Sequence, residues 1–205
     1  MEATLTSGHF RGVKTGASVF AETPTRHDAI LLFEAAKKRL LDINSWHRLC
    51  GNASAEFALT DSLGNVIHSV PQTGNYIRIR IPGPPNTEGH GYDWVRIEEF
   101  EQSKDLLKDQ DIFGFRVRPA SDPETHDGDP SHFYMSTATS TFLIMRQSTR
   151  VTGVERGRNE VPNGHGGRLL NNIRNVAVAI GAWLGLSKSQ WSRLMKGVIK
   201  GPQDA

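Results

Sequence analysis

Apolar residues recur with two different spacings along this chain of 205 residues, and the change between them divides the sequence into regions. Around residues 25–50 and beyond residue 167 the spacing is three to four residues, which is typical of amphipathic helices. Between those regions, apolar and polar residues alternate in short runs, which is typical of strands with one buried face. The sequence therefore predicts an α+β protein with helices on either side of a run of strands.

The most regular helical pattern runs from Gly167 to Leu184. Its apolar residues fall on one stripe, formed by Leu169, Ile173, Val176, Ala177, Ile180, Trp183 and Leu184. A stripe of that length has to be buried against another layer, and the strands supply one. We therefore expect a curved sheet that grips this helix. A last helix is predicted to begin at Ser187, with Trp191, Leu194, Met195 and Val198 on its apolar face.

The first helical region follows a short strand, which the alternation predicts over Ala17–Pro24. Thr25 can cap the helix that comes next, and Ser45–Cys50 is predicted to form a second short helical turn. Residues 1–15 are small and polar, so we expect a flexible arm there. The length of the rest suits a single domain over residues 16–201.

After Gly51 the alternating pattern predicts a succession of antiparallel strands joined by turns. The predicted strands are Ala55–Thr60, Val66–Val70, Tyr76–Ile81, Trp94–Phe100, Ile112–Val117, Thr139–Arg146 and Val151–Val161. Two stretches, Pro82–Tyr92 and Pro119–Ser131, hold so many proline, glycine or acidic residues that loops are predicted there. The stretch between Phe100 and Ile112 is predicted to be a polar connection.

In this order of elements the chain resembles the START-like, or helix-grip, superfamily, which includes polyketide cyclases, START lipid-transfer domains and the birch pollen allergen group. The residues that carry the resemblance are the strand-to-helix entry Val19–Ile30, Trp46, the strands from Ala55 to Val161, and the stripe from Leu169 to Leu184. The helix after Gly185 departs from the pattern. The resemblance implies a curved antiparallel sheet of about six to seven strands wrapped around a long C-terminal helix.

Members of that superfamily usually enclose a cavity for an apolar or amphipathic ligand between the sheet and the last helix, and some use it for catalysis. The fold alone does not dictate which. The candidate cavity residues that the resemblance implies here are Trp94, Phe113, Phe115, Tyr134, Phe142, Arg158, Glu160, Ile173, Ala177 and Ile180. The large aromatic side chains among them would also suit a filled core without a cavity.

The densest polar group lies on the last predicted strand. Alternation places Arg156, Arg158 and Glu160 on one face, and Glu155 and Asn159 on the other. One of these sets must face the helix if the strand belongs to the gripping sheet. A buried charge there would need a partner, and it could hold the polar end of a ligand or act as an acid or base. Solvent exposure with ordinary cross-strand pairing is the alternative.

Other candidate chemistry has little support in the sequence. A cluster in the long polar loop, formed by His126, Asp127, Asp129 and His132, has the right ligand types for a divalent ion. The loop offers these side chains no rigid support, so we predict neither a metal nor another cofactor. Cys50 near His47 would be a nucleophile only if its pKa were lowered. Gly164–Gly167 lacks the lysine of a phosphate-binding loop.

Composition sets further bounds. A formal net charge of +2 gives no argument for a nucleic-acid partner, and 37% hydrophobic with 22% charged residues is ordinary for a globular protein. A single cysteine fits a reducing compartment. No apolar run reaches the roughly 18 residues of a membrane span. We therefore expect a cytoplasmic protein with no membrane span, whose oligomeric state the sequence leaves open.

Three functional hypotheses follow. The leading one is a binding protein that holds a small apolar or amphipathic molecule between the sheet and the helix Gly167–Leu184, with Pro82–Tyr92 as a lid. The second is an enzyme of cyclase or hydrolase type, whose acid or base would come from Glu155, Glu160, Arg158 or His165. The third is a non-enzymatic interaction module with a filled core. A cavity on the order of several hundred Å³ would favour the first two.

Overall fold

A computed structural model of the chain describes residues 13–51, 55–80, 90–124, 136–160 and 190–202, leaving aside the side chains of residues 13–15 and 160. Within these ranges there are seven strands and three α-helices. The strands are β1 (Val13–Glu22), β2 (Glu56–Thr60), β3 (Tyr76–Arg80), β4 (Asp93–Asp105), β5 (Gln110–Pro119), β6 (Thr139–Gln147) and β7 (Arg150–Glu160). The helices are α1 (Arg26–Leu41), α2 (Trp46–Cys50) and α3, of which residues 190–200 are described, and a 3-10 turn (Ile43–Ser45) joins the first two.

All seven strands form one antiparallel sheet in the order β1-β7-β6-β5-β4-β3-β2. The pairing of β4 with β5 shifts register between Ile97 and Glu99, and that of β1 with β7 shifts between Val13 and Thr15. Such bulges bend and twist a sheet, which is consistent with its curved, half-barrel form. The predicted α+β architecture with a curved antiparallel sheet and a C-terminal helix is confirmed.

The sheet has two different ends. At the end that we call the turn end, short turns join β4 to β5 and β6 to β7. At the opposite end, which we call the open end, β3 stops at Arg80, β5 stops at Pro119 and β6 begins at Thr139. The connections that leave the open end are much longer than the turns. This difference recurs in the chemistry of the two ends.

One face of the sheet, which we call the inner face, packs against the helices and forms the main core. Its buried residues are Phe57, Leu59, Ile77, Ile79, Val95, Ile97, Phe113, Phe115, Val117, Phe142, Ile144 and Val151. The helices contribute Ala29, Phe33, Ala36, Leu40, Trp46, Leu49, Leu194, Met195, Val198 and Ile199. On the opposite, outer face there is a small separate cluster of Ile112, Leu143 and Val154. The clean alternation of β3 and β5 is what divides their side chains between the two faces.

Helix α1 begins at the predicted cap. The Thr25 hydroxyl oxygen accepts a hydrogen bond from the Asp28 backbone N–H at 3.1 Å, and the hydroxyl donates to the Asp28 carboxylate at 2.7 Å. This reciprocal pair satisfies a backbone donor that the first turn of a helix leaves without a partner. The carboxylate in the first turn also suits the helix dipole.

Helix α3 is held in the core by very close packing at two glycines. A Cβ atom on Gly197 would lie 2.4 Å from the Leu49 carbonyl oxygen, and one on Gly153 of β7 would lie 2.8 Å from the Ile199 side chain. Only glycine permits such approaches. Thus α3 packs directly on the sheet, although the sequence analysis described this helix as a departure from the helix-grip pattern. The long helix predicted over Gly167–Leu184 lies outside the described residues.

One predicted strand is absent from the sheet. Val66–Val70 was expected to be a strand, but Val66 forms only an isolated bridge with Thr60. The backbone that follows is satisfied in another way, because the Asn44 side-chain amide donates to the Ile67 carbonyl oxygen at 2.9 Å. The partner of β2 is β3 instead, so this segment is part of the loop that joins the two strands.

Two strands are longer than the sequence predicted. Strand β1 begins at Val13, so residues 13–15 belong to the sheet rather than to the predicted arm, while residues 1–12 lie outside the described part. Strand β4 continues to Asp105, so the polar connection predicted after Phe100 reduces to a short turn. Its polar residues remain in the strand because β5 pairs with them throughout, down to Asp105 opposite Gln110.

Candidate ligand pocket at the open end of the sheet

A pocket lies on the inner face of the sheet at its open end. It is lined by Trp46 of α2, Trp191 of α3 and a group of strand residues, Ile77, Ile79, Val95, Val117, Pro119, Ala138, Thr139, Ser140 and Phe142. Cross-strand pairing brings these residues together, since Ile77 lies opposite Val95 and Val117 lies opposite Ser140. Apart from a threonine and a serine, every described lining residue is apolar.

Two tryptophans flank Phe142 and define the shape of the pocket. The ring centroid of Phe142 lies 5.3 Å from that of Trp46 and 5.3 Å from that of Trp191. Trp46 is fully buried, and its indole N–H donates to the Leu40 carbonyl oxygen at 3.1 Å. Trp191 of α3 is only partly buried. One wall of the pocket is therefore fixed by a hydrogen bond, and the other is a side chain near the surface.

The pocket is nearly filled by its own aromatic side chains. Its enclosed volume is about 20 Å³, which is room for roughly one water molecule. A ligand of several heavy atoms can enter only if a lining side chain moves. Among the large lining side chains, Trp191 has the fewest constraints, because it is partly exposed.

The predicted cavity residues are divided between the two faces. Phe142 lines the pocket, and Phe113 and Phe115 lie on the same face within the core, where Phe115 stacks on Trp46 with centroids 6.2 Å apart. Tyr134, Ile173, Ala177 and Ile180 lie outside the described residues, and so does the side chain of Glu160.

Trp94 and Arg158 do not face the pocket, contrary to prediction. Trp94 precedes Val95, a pocket residue, so the alternation of β4 turns the Trp94 ring to the outer face, where it contacts Tyr92 at a centroid distance of 6.4 Å. Arg158 lies on β7 in the same alternating set as Val154, which belongs to the outer cluster. Its guanidinium donates to the Gly157 carbonyl oxygen at 3.3 Å.

On β7 the set that contains Glu155 is the one that faces the helices. Gly153 contacts the side chains of α3, and Glu155, two residues further along, lies directly opposite Phe142 on β6. Because directly paired residues point to the same face, the Glu155 side chain is on the inner face. The alternation left two possibilities open, and the position of the glycine beside α3 decides between them.

Several pocket residues were not among the predicted candidates. Trp46 and Trp191 were recognised only as helix residues, and Ile77, Ile79, Val95 and Val117 only as alternating strand residues. The alternation of apolar and polar residues would have found them, because Ile77 and Ile79 lie on the same face of β3 and Val95 is paired with Ile77. The sequence does not reveal at which end of the sheet the pocket lies.

Charged side chains rather than aromatic ones fill the inner face at the turn end. Arg146 has only 1% of its surface exposed and donates from Nε to Asp111 at 2.7 Å, from Nη2 to Asp109 at 2.8 Å and from Nη1 to the Ser148 carbonyl oxygen at 3.1 Å. Arg26 of α1 donates to the same Asp109 oxygen at 2.8 Å. Hydrogen bonds from Arg26 and Arg146 hold the pKa of Asp109 well below its ordinary value.

A second charged pair lies close to the open end. His90, which has a left-handed backbone with φ of 50°, donates from Nδ1 to the buried Asp122 carboxylate at 2.8 Å. The hydrogen bond and charge of Asp122 raise the pKa of His90 above its ordinary value. The other Asp122 oxygen accepts the Glu124 backbone N–H at 2.9 Å. The hydrogen bond therefore joins the connection before β4 to the connection after β5.

Cys50 is not a nucleophile of the kind that the sequence raised. It is buried in the main core, and burial raises the pKa of its thiol to about 12. The thiol is therefore protonated near neutral pH, whereas thiolate is the reactive form.

Two further predictions concern metals and membranes. Among the described residues no group of three or more histidine, cysteine, aspartate or glutamate side chains has a metal-binding arrangement, and His126, Asp127, Asp129 and His132 lie outside them. None of the helices in the described ranges has the length and apolar character needed to cross a membrane.

Comparison with solved structures agrees with this architecture. A hypothetical protein from Helicobacter pylori matches with a TM-score of 0.51 at 11% sequence identity, over 99% of this chain and 100% of that one. The curled antiparallel sheet with its C-terminal helix is a helix-grip fold. A truncated norcoclaurine synthase from Thalictrum flavum (TM-score 0.36, 8% identity, 95% and 99% coverage) and a major latex-like protein from Panax ginseng (0.30, 9%, 87% and 95%) also match. No protein-family model and no curated protein matches the sequence.

Proposed function

We propose that this protein binds a small, largely apolar molecule in the pocket at the open end of the sheet. The observation that carries the proposal is the lining itself, in which apolar side chains from β3, β4, β5 and β6 converge on Trp46, Phe142 and Trp191. Concave apolar sites with few polar groups are typical of small-molecule binding. None of the described lining residues carries an ionisable side chain, which favours binding over catalysis.

Ligand entry depends on Trp191 in this proposal. Its ring lies 5.3 Å from Phe142 and 6.0 Å from Phe57, and it covers the pocket from the α3 side. Rotation of this one partly exposed side chain needs no change of fold. The small volume of the closed pocket is therefore compatible with a ligand that takes the place of the Trp191 indole.

The test uses the neutral fluorescent probe N-phenyl-1-naphthylamine and two variants with opposite expected effects. Trp191→Ala removes the side chain that fills the pocket, so we expect the probe to bind about tenfold or more tightly than to the wild type. Ser140→Leu adds apolar volume to the pocket, so we expect binding about tenfold weaker. Gln147→Leu is the matched control, because it adds a leucine to the same strand at the turn end and should leave the affinity unchanged.

The opposite signs make the result decisive. An affinity that is the same in all three variants, or that falls in Trp191→Ala, would show that the probe binds elsewhere and would overturn the proposal. Circular dichroism and a urea unfolding curve for each variant establish that the fold is retained.

The filled state of the pocket favours a second candidate function, a non-enzymatic interaction module. An enclosed volume of about 20 Å³ is what a closed core would show. The experiment above separates the two candidates. If neither the wild type nor Trp191→Ala binds the probe in a saturable manner, the interaction module becomes the better explanation.

A further inference from the structure

The two edges of the sheet are protected to different extents. At one edge, β2 is covered by the chain that follows it, because the Ile67 backbone N–H donates to the Leu59 carbonyl oxygen at 2.9 Å. The Leu59 backbone N–H in turn donates to the Asn44 side-chain oxygen at 2.8 Å. At the other edge, β1 pairs with β7 on one side, and no residue in the described ranges forms a backbone hydrogen bond with its other side. An edge strand left open in this way is a template for pairing with another chain.

The backbone groups at the open edge of β1 belong to its even-numbered residues. The Thr23 backbone N–H donates to the Thr149 carbonyl oxygen at 3.0 Å, so the backbone of Thr23 points toward the β7 side. The pairing with β7 has no register shift between Gly16 and Glu22. The backbone N–H and C=O groups of successive residues in a strand point to opposite sides. The residues whose groups point away from β7 are therefore Gly16, Ser18, Phe20 and Glu22.

Residues 16–22 of β1 carry none of the features with which proteins usually block an open edge. They contain no proline, lysine or bulge, and their one charged residue, Glu22, lies at the end of the strand. Val19 and Ala21 pack against the core, so the Phe20 side chain projects from the outer face, where it is 52% exposed. A partner strand along this edge would therefore meet small side chains and one exposed aromatic ring.

We infer that β1 pairs with β1 of a second copy of this chain, in an antiparallel two-fold arrangement centred on Ser18. The two Ser18 residues then exchange both of their backbone hydrogen bonds, and the two sheets become one continuous sheet. This centre also places the Phe20 ring opposite Gly16 of the partner subunit, where it covers backbone that has no side chain of its own. The interface is independent of the pocket, because β1 contributes no residue to the described lining.

The first test is the mass of the full chain in solution, measured by sedimentation equilibrium over a range of concentrations. We expect the wild type to form a dimer. Ser18→Pro removes the N–H at the centre of the interface but no bond to β7, because proline is tolerated where the N–H of an edge strand points outward. The dimer dissociation constant should rise about tenfold or more. Ser18→Ala keeps the N–H and is the matched control, so its dissociation constant should equal that of the wild type.

A second test determines the register by cross-linking. The single native cysteine, Cys50, is buried, so an introduced cysteine at the edge is the accessible thiol. In Ser18→Cys the two thiols lie at the two-fold axis, where directly opposed Cα atoms are about 5.5 Å apart and a disulfide can form. We expect oxidation with copper phenanthroline to give a covalent dimer. In Glu22→Cys, the matched control, the two positions are about 27 Å apart along the strands, so no cross-link should form.

The outcomes are distinguishable. A wild type that sediments as a monomer at every concentration would overturn the inference. A dimer that Ser18→Pro leaves unchanged would overturn it as well, and so would cross-linking of Glu22→Cys without that of Ser18→Cys. Circular dichroism shows whether each variant retains its fold, and the cross-linking comparison decides the question should Ser18→Pro fail to fold. Binding of the fluorescent probe is measured separately, so the proposed function is tested independently of the dimer.

Discussion

The inner face of the sheet is covered by different kinds of side chain at the turn end and at the open end. At the turn end, Arg146 is buried under its own ion pairs, and Arg26 joins α1 to the same carboxylate. At the open end, aromatic rings from α2, β6 and α3 meet around a small pocket. Ion pairs with fixed geometry hold one arrangement, whereas apolar contacts permit one ring to be replaced by another apolar group. We therefore expect substitutions at the turn end to change stability most, and our proposal assigns ligand binding to the open end.

The largest effect is expected from Arg146→Met at the turn end. It leaves Asp109 and Asp111 without the buried cation, and removal of one partner from a buried pair typically costs 3–5 kcal/mol. We expect the free energy of unfolding to fall by about 3 kcal/mol, the lower end, because Asp109 is 29% exposed. Urea unfolding measures the change. The control Arg150→Met breaks the exposed pair with Glu22 and should cost less than about 1 kcal/mol, so equal losses in both variants would contradict this account.

A smaller effect is expected from Gly197→Ala, which tests the packing that places Trp191 near Trp46. Alanine normally stabilises a helix relative to glycine by about 1 kcal/mol. Here its Cβ would lie 2.4 Å from the Leu49 carbonyl oxygen, so we expect a net loss on the order of 2 kcal/mol in the free energy of unfolding. Lys196→Ala, at an exposed neighbouring position, should change stability little. A stabilised Gly197→Ala variant would mean that α3 does not pack against α2.

The cap of α1 provides a third, weaker test at the turn end. Thr25→Ala removes the acceptor for the Asp28 backbone N–H and should cost about 1 kcal/mol. Thr25→Ser keeps the hydroxyl and should cost much less. Thermal unfolding monitored by circular dichroism compares the two, and an equal loss in both variants would show that the methyl group rather than the cap matters.

The two ends should also respond to pH in opposite directions. The depressed pKa of Asp109 means that its stabilising contribution is present above its unfolded pKa, near 4, and is lost as the pH falls through the lower folded pKa. The raised pKa of His90 means that its contribution is present below about 6.5 and is lost as the pH rises through the higher folded pKa. Both groups are exposed enough that the effects should be modest.

Urea midpoints measured from acid to alkaline pH test this expectation. Asp109→Asn should show a shallower loss of stability in acid than the wild type, although Asp61, Asp105 and Glu98 also have lowered pKa values and will leave some acid dependence. His90→Gln should show a shallower loss on the alkaline side. If neither variant differs in its pH profile from the wild type, these pairs do not contribute to stability.

Much of the fold was predictable because period and cap signals are local. The cap at Thr25, the second helical turn with Trp46 and the hairpin between β6 and β7 all follow from residues close together in sequence. The strand predicted over Val66–Val70 was wrong. Its apolar residues are typical of a strand, but the side chain of Asn44, which is distant in sequence, donates a hydrogen bond to the backbone there. That residues 16–201 form one domain stays a prediction.

The pocket residues were harder to predict, because they depend on which face of each strand points to the helices and on which end of the sheet holds the pocket. Alternation separates Trp94 from Val95 and Arg158 from Asn159, but it does not say which set faces the helices. That choice is made by the contact between Gly153 and α3. A list based on aromatic size therefore included Trp94, which lies on the outer face, and omitted Ile77 and Ile79, which line the pocket.

The most direct test of the central claim is a methyl NMR titration of the wild type with N-phenyl-1-naphthylamine. The account predicts saturable shifts at Ile77, Ile79, Val95 and Val117 around the pocket, with Val151 beside Arg146 unaffected. Shifts of similar size at both ends, or shifts confined to the exposed Leu106 and Leu107 of the β4–β5 turn, would contradict it.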